Sequence, residues 1–313
     1  MKIVFLGTPE ISCFFLDSMM KEGYIPEAVI SRPDKAAGRG LNICPSPLSK
    51  FANQKKLRLF HPCSGKEIKE VLSNLKPDLC VAVAYGRFIP EGALKLARIG
   101  FLNVHFSLLP KYRGAAPVQW ALINGEKESG VSIFWIDKEM DAGPLFVQEK
   151  VGIKIEDDAR SLLGKMCPKG TRMLMECLGK IEKGQIIRIP QKGEVSYAPK
   201  VEKSFSWIDF SDSAMAVYNK IRGLCLGPGA RFLLRARQMV VQVLKAEYRP
   251  GGSNSENFVT GQICLIERNK GFYIKCSDEC LFISRVHPEG KKEMNAFDFI
   301  NGLRLKAGDT LRG

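Results

Sequence analysis

Phe101-Leu102-Asn103-Val104-His105-Phe106, running on into Ser107-Leu108-Leu109-Pro110-Lys111-Tyr112-Arg113-Gly114-Ala115-Ala116-Pro117, is the stretch on which the reading of this chain turns. Side chains of a strand alternate between faces, so Asn103 and His105 point the same way. Their neighbours Phe101, Leu102, Val104 and Phe106 are apolar, as in a strand buried within a sheet. An amide and an imidazole on one face of such a strand cost free energy unless hydrogen bonds satisfy them. The Pro- and Gly-bearing run that follows ends the strand, which puts the pair at its carboxyl end. In open α/β sheets that is the edge where ligands bind.

Working outward, residues 2–7 read as a buried strand closed by Gly7, with Thr8 placed to cap a helix and Pro9 at that helix's first position. Ile11, Phe14, Phe15 and Met19 recur at helical spacing, and a strand at 25–31 completes a βαβ unit with parallel pairing. The rhythm continues with a helix at 64–75, a strand at 78–84, a helix at 91–98 and the Asn/His strand at 101–106. A helix at 116–124, a strand at 130–136 and a long helix over 157–183 follow, with Pro168 expected to kink or interrupt the last. Alternation of this kind predicts an α/β, doubly wound, mostly parallel sheet of Rossmann-like form over residues 1–184. A dinucleotide site is disfavoured, because the Gly7-Thr8-Pro9 turn has one glycine where G-x-G-x-x-G is needed.

After Gly184 the periodicity fails, and 185–204, with Pro190, Gly193 and Pro199, reads as an extended linker. Residues 205–313 open with an amphipathic stretch at 211–224 and become strand-rich at 239–247, 260–268, 271–276 and 280–286. Several short strands joined by Gly- or Asp-containing turns suggest a small OB-like β-barrel.

Composition bounds the function. With 313 residues, 45% hydrophobic and 26% charged, the chain suits two ordinary globular domains. Apolar runs such as Ile3 to Leu6 fall far short of the ~20 residues of a membrane span, and Met1-Lys2 leads straight into a strand without a signal-peptide pattern, so a cytoplasmic protein with no membrane partner is expected. Ten cysteines without a CxxC pair read as small buried hydrophobes in a reducing compartment. His61, His105 and His287 have no Cys or second His at ligand spacing, so no metal is expected. The net charge is +14, with a pI near 9.3. Residues 1–184 hold 27 basic and 20 acidic groups, 185–204 hold 4 and 2, and 205–313 hold 16 and 11. A surplus spread this evenly favours a polyanionic partner such as RNA.

The 103–117 run resembles, nearly residue for residue, the signature of the formyltetrahydrofolate-dependent formyltransferases. In that family an Asn, a His and an Asp about 36 residues further on form the catalytic trio, and Asp141, in Asp137-Lys138-Glu139-Met140-Asp141-Ala142-Gly143-Pro144, fills the third place. Further elements of the resemblance are Ile3-Val4-Phe5-Leu6-Gly7-Thr8-Pro9, Arg32-Pro33-Asp34-Lys35-Ala36-Ala37-Gly38-Arg39-Gly40, Pro45-Ser46-Pro47-Leu48 and Ala84-Tyr85-Gly86. It covers essentially the whole chain and is nearest to members that formylate initiator methionyl-tRNA. The resemblance implies 10-formyltetrahydrofolate as the formyl donor, with no metal. It implies Asn103, His105 and Asp141 as catalytic residues and Ser107, Leu108, Leu109, Pro110, Tyr85 and Gly86 as the folate contacts. It also implies Arg39 in a loop that enters the tRNA acceptor end and a C-terminal tRNA-holding domain; a monomer is expected, though no feature of the sequence decides the oligomeric state. Many relatives carry glutamine where this chain has Arg87.

These residue types suit the chemistry on their own terms. An α-amine, with a reference pKa of ~7.7–8.0, has an appreciable neutral fraction at cellular pH, so no covalent enzyme nucleophile is required. The Asn amide and an imidazolium can stabilise the oxyanion formed on the formyl carbon, and the carboxylate can accept the amine proton directly or through water. Glycinamide ribonucleotide or an amino-sugar nucleotide would be handled by the same trio, but neither explains the second domain or the charge. A non-catalytic RNA-binding protein on this fold would not need the trio.

Overall fold

β1 (Ile3–Gly7) is an uninterrupted apolar run with every residue buried, as a strand covered on both faces requires. It leads into α1 (Glu10–Lys21), which buries Phe15, Leu16 and Met19 at helical spacing. Pro9 caps this helix without a side-chain bond, and Thr8, read from the sequence as the cap, instead donates its hydroxyl to the Tyr85 carbonyl at 3.0 Å. β2 (Ala28–Ile30), the short antiparallel pair β3 (Lys35–Ala37) and β4 (Asn42–Cys44), α2 (Pro47–Gln54), β5 (Leu59–Phe60) and α3 (Gly65–Leu75) follow. Then come β6 (Leu79–Val83), α4 (Glu91–Leu94), β7 (Gly100–His105), α5 (Pro117–Ile123), β8 (Glu128–Trp135), β9 (Leu145–Gly152) and α6 (Ala159–Glu182). This computed structural model describes residues 1–37, 42–234, 237–251 and 257–311.

The seven strands lie in the order β5-β2-β1-β6-β7-β8-β9. The first five pair in parallel, and β8 runs antiparallel to β7. The sheet is therefore mostly parallel, as the alternation of strands and helices predicts. Its order reverses between β1 and β6, the kind of switch point at which ligands bind beyond the strand carboxyl ends. One face is filled by Val4, Leu6, Ile30, Leu72, Ala82 and Phe101, among others. α6 passes through Pro168 without interruption, and the helix expected at 91–98 is reduced to the single turn of α4. There the following amides are taken by remote carbonyls: Arg98 N bonds Pro77 O and Ile99 N bonds Asp78 O.

The chain separates into two units: 1–117, 129–151 and 164–199 form one, while 118–128, 152–163 and 200–313 form the other. The segment read as a linker is, through Pro199, part of the first unit. Ile189 exchanges both backbone hydrogen bonds with Leu145, and Trp135 Nε1 donates to Ile187 O at 2.7 Å.

The second unit continues with the short 3₁₀ turn Lys203–Ser206, α7 (Ala214–Gly223), β10 (Arg231–Leu234), β11 (Met239–Glu247), β12 (Ile263–Glu267), β13 (Gly271–Lys275), β14 (Cys280–Pro288), β15 (Met294–Asn295) and α8 (Ala296–Gly302). Its strands run antiparallel in the order β10-β11-β14-β13-β12, with β15 on β14. Bulges near Lys245 and between Ile263 and Leu265 bend the strands in the manner of a small barrel. Burial pushes the Cys177 and Cys276 thiols up to about 12, as befits inert core residues. Cys264 and Cys280 depart from the all-thiol expectation: they are disulfide-bonded across β13.

Candidate active site

Asn103 and His105 occupy the last turns of pleat in β7, in register with Ala82 of β6 on one side and with Phe134 and Ser132 of β8 on the other. The Asn103 side chain is half-buried and makes no hydrogen bond among the described residues, which leaves its amide free to face a ligand. His105 is held differently. Its ring is buried edge-on to Phe134, and Nε2 lies 2.9 Å from the Tyr112 carbonyl. A carbonyl only accepts, so Nε2 carries the proton and donates. Nδ1 is the other ring nitrogen, and it faces Asp141 Oδ2 at 3.6 Å.

Asp141 sits in the turn between β8 and β9 at φ +51°, a left-handed conformation that a non-glycine residue adopts only when its surroundings hold it. Its Oδ2 accepts the Gly114 amide at 2.8 Å. Gly114 itself has φ +125°, and a Cβ there would come within 2.6 Å of the Ala198 carbonyl, so only glycine lets the amide reach the carboxylate. The trio identified in the sequence therefore meets at one sheet edge: Asn103 and His105 from a single strand, Asp141 from the neighbouring turn.

The loop 107–113 is built by groups that carry no sequence signal of a site. Ser132 Oγ donates to Ser107 O at 2.6 Å and accepts Leu109 N at 3.2 Å. Gln148 Nε2 donates to both Leu109 O and Ser132 Oγ. Ser196 Oγ receives Tyr112 N, and Gln191 joins Arg113 to the Asp141 turn. Ser196 and Gln191 lie in the 185–204 segment, where no periodicity marks them.

Two family models match this chain: formyl transferase over residues 1–178, and the formyl transferase C-terminal domain over 200–304. The chain is 34% identical to the methionyl-tRNA formyltransferase of Elusimicrobium minutum and 37% identical to that of Dictyoglomus thermophilum, in each case over 99% of both chains. The chain belongs to the formyl transferase family. Among solved structures, HypX from Aquifex aeolicus in complex with tetrahydrofolic acid shares the fold, with a TM-score of 0.66 at 19% identity. That match covers 96% of this chain and about half (47%) of HypX.

In this formyl transferase the other residues singled out from the sequence fall around the same edge or outside the described chain. Ser107, Leu109 and Pro110 are buried and Leu108 half-buried in the loop that leaves β7. Ser107 Oγ donates to Lys111 O at 2.6 Å. Tyr85 and Gly86 follow β6; Tyr85 is buried, and burial raises its phenol pKa. Arg87 turns away to donate to the Pro62 and Cys63 carbonyls, a structural use that its replacement of a glutamine did not signal. Arg39 lies outside the described residues. Among the described residues no group of three or more His, Cys, Asp or Glu is arranged to hold a metal, and no helix is long and apolar enough to cross a membrane.

Proposed function

We propose that this formyl transferase moves the formyl group of 10-formyltetrahydrofolate onto the α-amino group of methionyl-tRNA, with Asn103, His105 and Asp141 as the catalytic residues. The observation that carries the reading is the convergence of a free amide, an imidazole with one open nitrogen and a carboxylate at the carboxyl edge of β7. Full-length likeness to relatives of that name supports the acceptor over glycinamide ribonucleotide or an amino-sugar nucleotide.

The amine nitrogen attacks the formyl carbon, a C–N bond forms and the carbonyl oxygen takes negative charge. The Asn103 amide and a protonated His105 Nδ1 donate to that oxygen; a single donor of this kind is typically worth ~10²–10³ in rate. The attacking nitrogen gives up a proton to Asp141, directly or through one water. The bond to the folate nitrogen then breaks, and that nitrogen takes up the proton that Asp141 accepted, directly or through water. Tyr85, Gly86 and Ser107 to Pro110 are assigned to the formyl donor. Backbone polar groups beside the buried Tyr85, Leu109 and Pro110 and the half-buried Leu108 fit a flat heteroaromatic ring.

The first unit is assigned the chemistry, and Arg39 with the basic second unit the tRNA, one site per monomeric chain. Arg39→Ala is expected to raise KM for methionyl-tRNA at least tenfold and leave the affinity for the formyl donor unchanged. A guanidinium can both pair with phosphate and stack on an unpaired base. The deciding experiment incubates the protein with 10-formyltetrahydrofolate and methionyl-tRNA, glycinamide ribonucleotide or an amino-sugar nucleotide. Formylmethionyl-tRNA should form fastest by orders of magnitude; preference for a small amine would overturn the acceptor, and no turnover with any would overturn catalysis.

A further inference from the structure

We propose that Gln191 is a positioning residue for this reaction: its side-chain amide fixes the turn that presents Asp141 to His105. The inference rests on the formyl-transfer reading. Gln191 Nε2 donates to the carbonyls of Asp141 and Gly143, both at 2.8 Å. Its Oε1 accepts Arg113 Nε at 3.2 Å and Nη2 at 2.6 Å. An amide has two N–H donors and two acceptor lone pairs, and here all four are in use.

The two partners belong to the two loops that hold the reacting groups. Arg113 follows Tyr112, whose carbonyl fixes His105 Nε2. The Asp141 turn faces His105 Nδ1. Gln191 therefore spans the loop that sets the imidazole and the turn that sets the carboxylate. The turn needs such a hold. Asp141 is left-handed at φ +51°, and at Gly143 a Cβ would fall 1.8 Å from the Trp135 carbonyl, so the turn is pressed against β8 with no slack. Strained backbone of this kind persists only where neighbours over-determine it. With Oδ2 at 3.6 Å from Nδ1, a small rotation of the turn takes the carboxylate out of range. A displacement of ~1 Å in a catalytic group can cost ~10² in rate.

The test uses the full-length protein and the variants Gln191→Leu, which removes donors and acceptor, and Gln191→Glu, which keeps the acceptor for Arg113 and loses the donors. Both should lower kcat by about 10- to 100-fold with KM for either substrate changed less than about threefold. Gln191→Glu should keep a near-native melting temperature and carries the test if Gln191→Leu fails to fold. Because Gln191 acts through Asp141, adding Gln191→Leu to Asp141→Asn should cost little beyond Asp141→Asn alone. Independently of activity, hydrogen exchange at the Gly114 amide, the donor to Asp141 Oδ2, should quicken at least tenfold in both variants. Wild-type kcat in Gln191→Glu, multiplicative losses in the double variant, or unchanged Gly114 protection would each overturn the assignment. Should the wild-type protein fail to formylate any amine, the functional reading falls while the exchange measurement still decides whether Gln191 holds the turn.

Discussion

At His105 one ring nitrogen is committed to the Tyr112 carbonyl and the other faces Asp141, so an amide can replace them one at a time. Asparagine at 105 places its amide near the Nδ1 position; glutamine reaches toward the Nε2 position. Both His105→Asn and His105→Gln should lose ~10²–10³ in kcat, since neither supplies an imidazolium. His105→Asn should nevertheless be the faster by about tenfold, because it keeps a donor on the substrate side. Steady-state kinetics on the two variants decides this, and a faster glutamine variant would mean that Nε2 is the working nitrogen. The pair Asn103 and His105 was legible because two polar residues two apart in an apolar strand demand an explanation. Which nitrogen is left open was not legible: it depends on the Tyr112 carbonyl and the Gly114 amide, main-chain groups that every sequence carries and none advertises.

Elements show the same division. β6 and β7 could be read directly, since strands buried on both faces are apolar runs ended by turn residues. The segment 185–199 could not, because its hydrogen bonds go to Leu145, Arg113 and Trp135, all remote in sequence, and leave no period. The start of β6 illustrates how such remote bonds respond to pH. Asp78 accepts the Lys2 backbone amide and Arg98 Nε, each at 2.7 Å. The Lys2 amide first, then the Arg98 guanidinium, hold the Asp78 carboxyl below its usual 3.8. A carboxyl whose folded pKa is depressed contributes stability that is fully present above the unfolded value and is lost as pH falls through the folded one. Asp78→Ala should accordingly lower the urea midpoint at pH 7, and the gap from wild type should close on acidification below about pH 4. The side chain is a quarter exposed, so the effect is modest. A gap that stays constant from pH 7 to pH 3 would show that the loss is one of packing rather than charge.

Over the whole molecule the two units are not simply two halves of the chain. Residues 118–128 and 152–163 leave the first unit's sequence and fold with 200–313. Ala121 and Leu122 are fully buried, and at Gly223 of α7 a Cβ would meet Ile123 Cγ1 at 2.7 Å and the Gln119 carbonyl at 3.0 Å. Arg222, buried to 7% exposure, donates to Asn219 Oδ1 and to the Lys154 and Asp157 carbonyls, while the Tyr218 hydroxyl donates to Ile155 O at 2.7 Å. β11 to β14 were legible as short strands between turn residues, while β10 and β15 were not read; the inserted segments were not legible either, because α5 and the 152–163 stretch look like ordinary parts of the α/β rhythm. A chain cut after Pro199 would keep the seven-stranded sheet and lose the partners that 200–313 supplies to those insertions. The carbonyls of Lys154, Ile155 and Asp157 would exchange their protein donors for water, and the apolar face of α5 would be bared. The fragment 1–199 is therefore expected to bind a hydrophobic dye and to melt well below the full chain. The single substitution Arg222→Met should destabilise the full chain by about 2 kcal/mol or more by uncovering two of those carbonyls. If instead the fragment melts within about 2 °C of the full chain, a shift smaller than ~1 kcal/mol would produce in a domain of that size, the insertions contribute nothing to its fold. Salt then separates lost folding from lost tRNA contacts: phosphate contacts make kcat/KM fall steeply with ionic strength, so a fragment slowed equally at low and high salt has lost structure, and one that has merely lost its salt dependence has lost the tRNA.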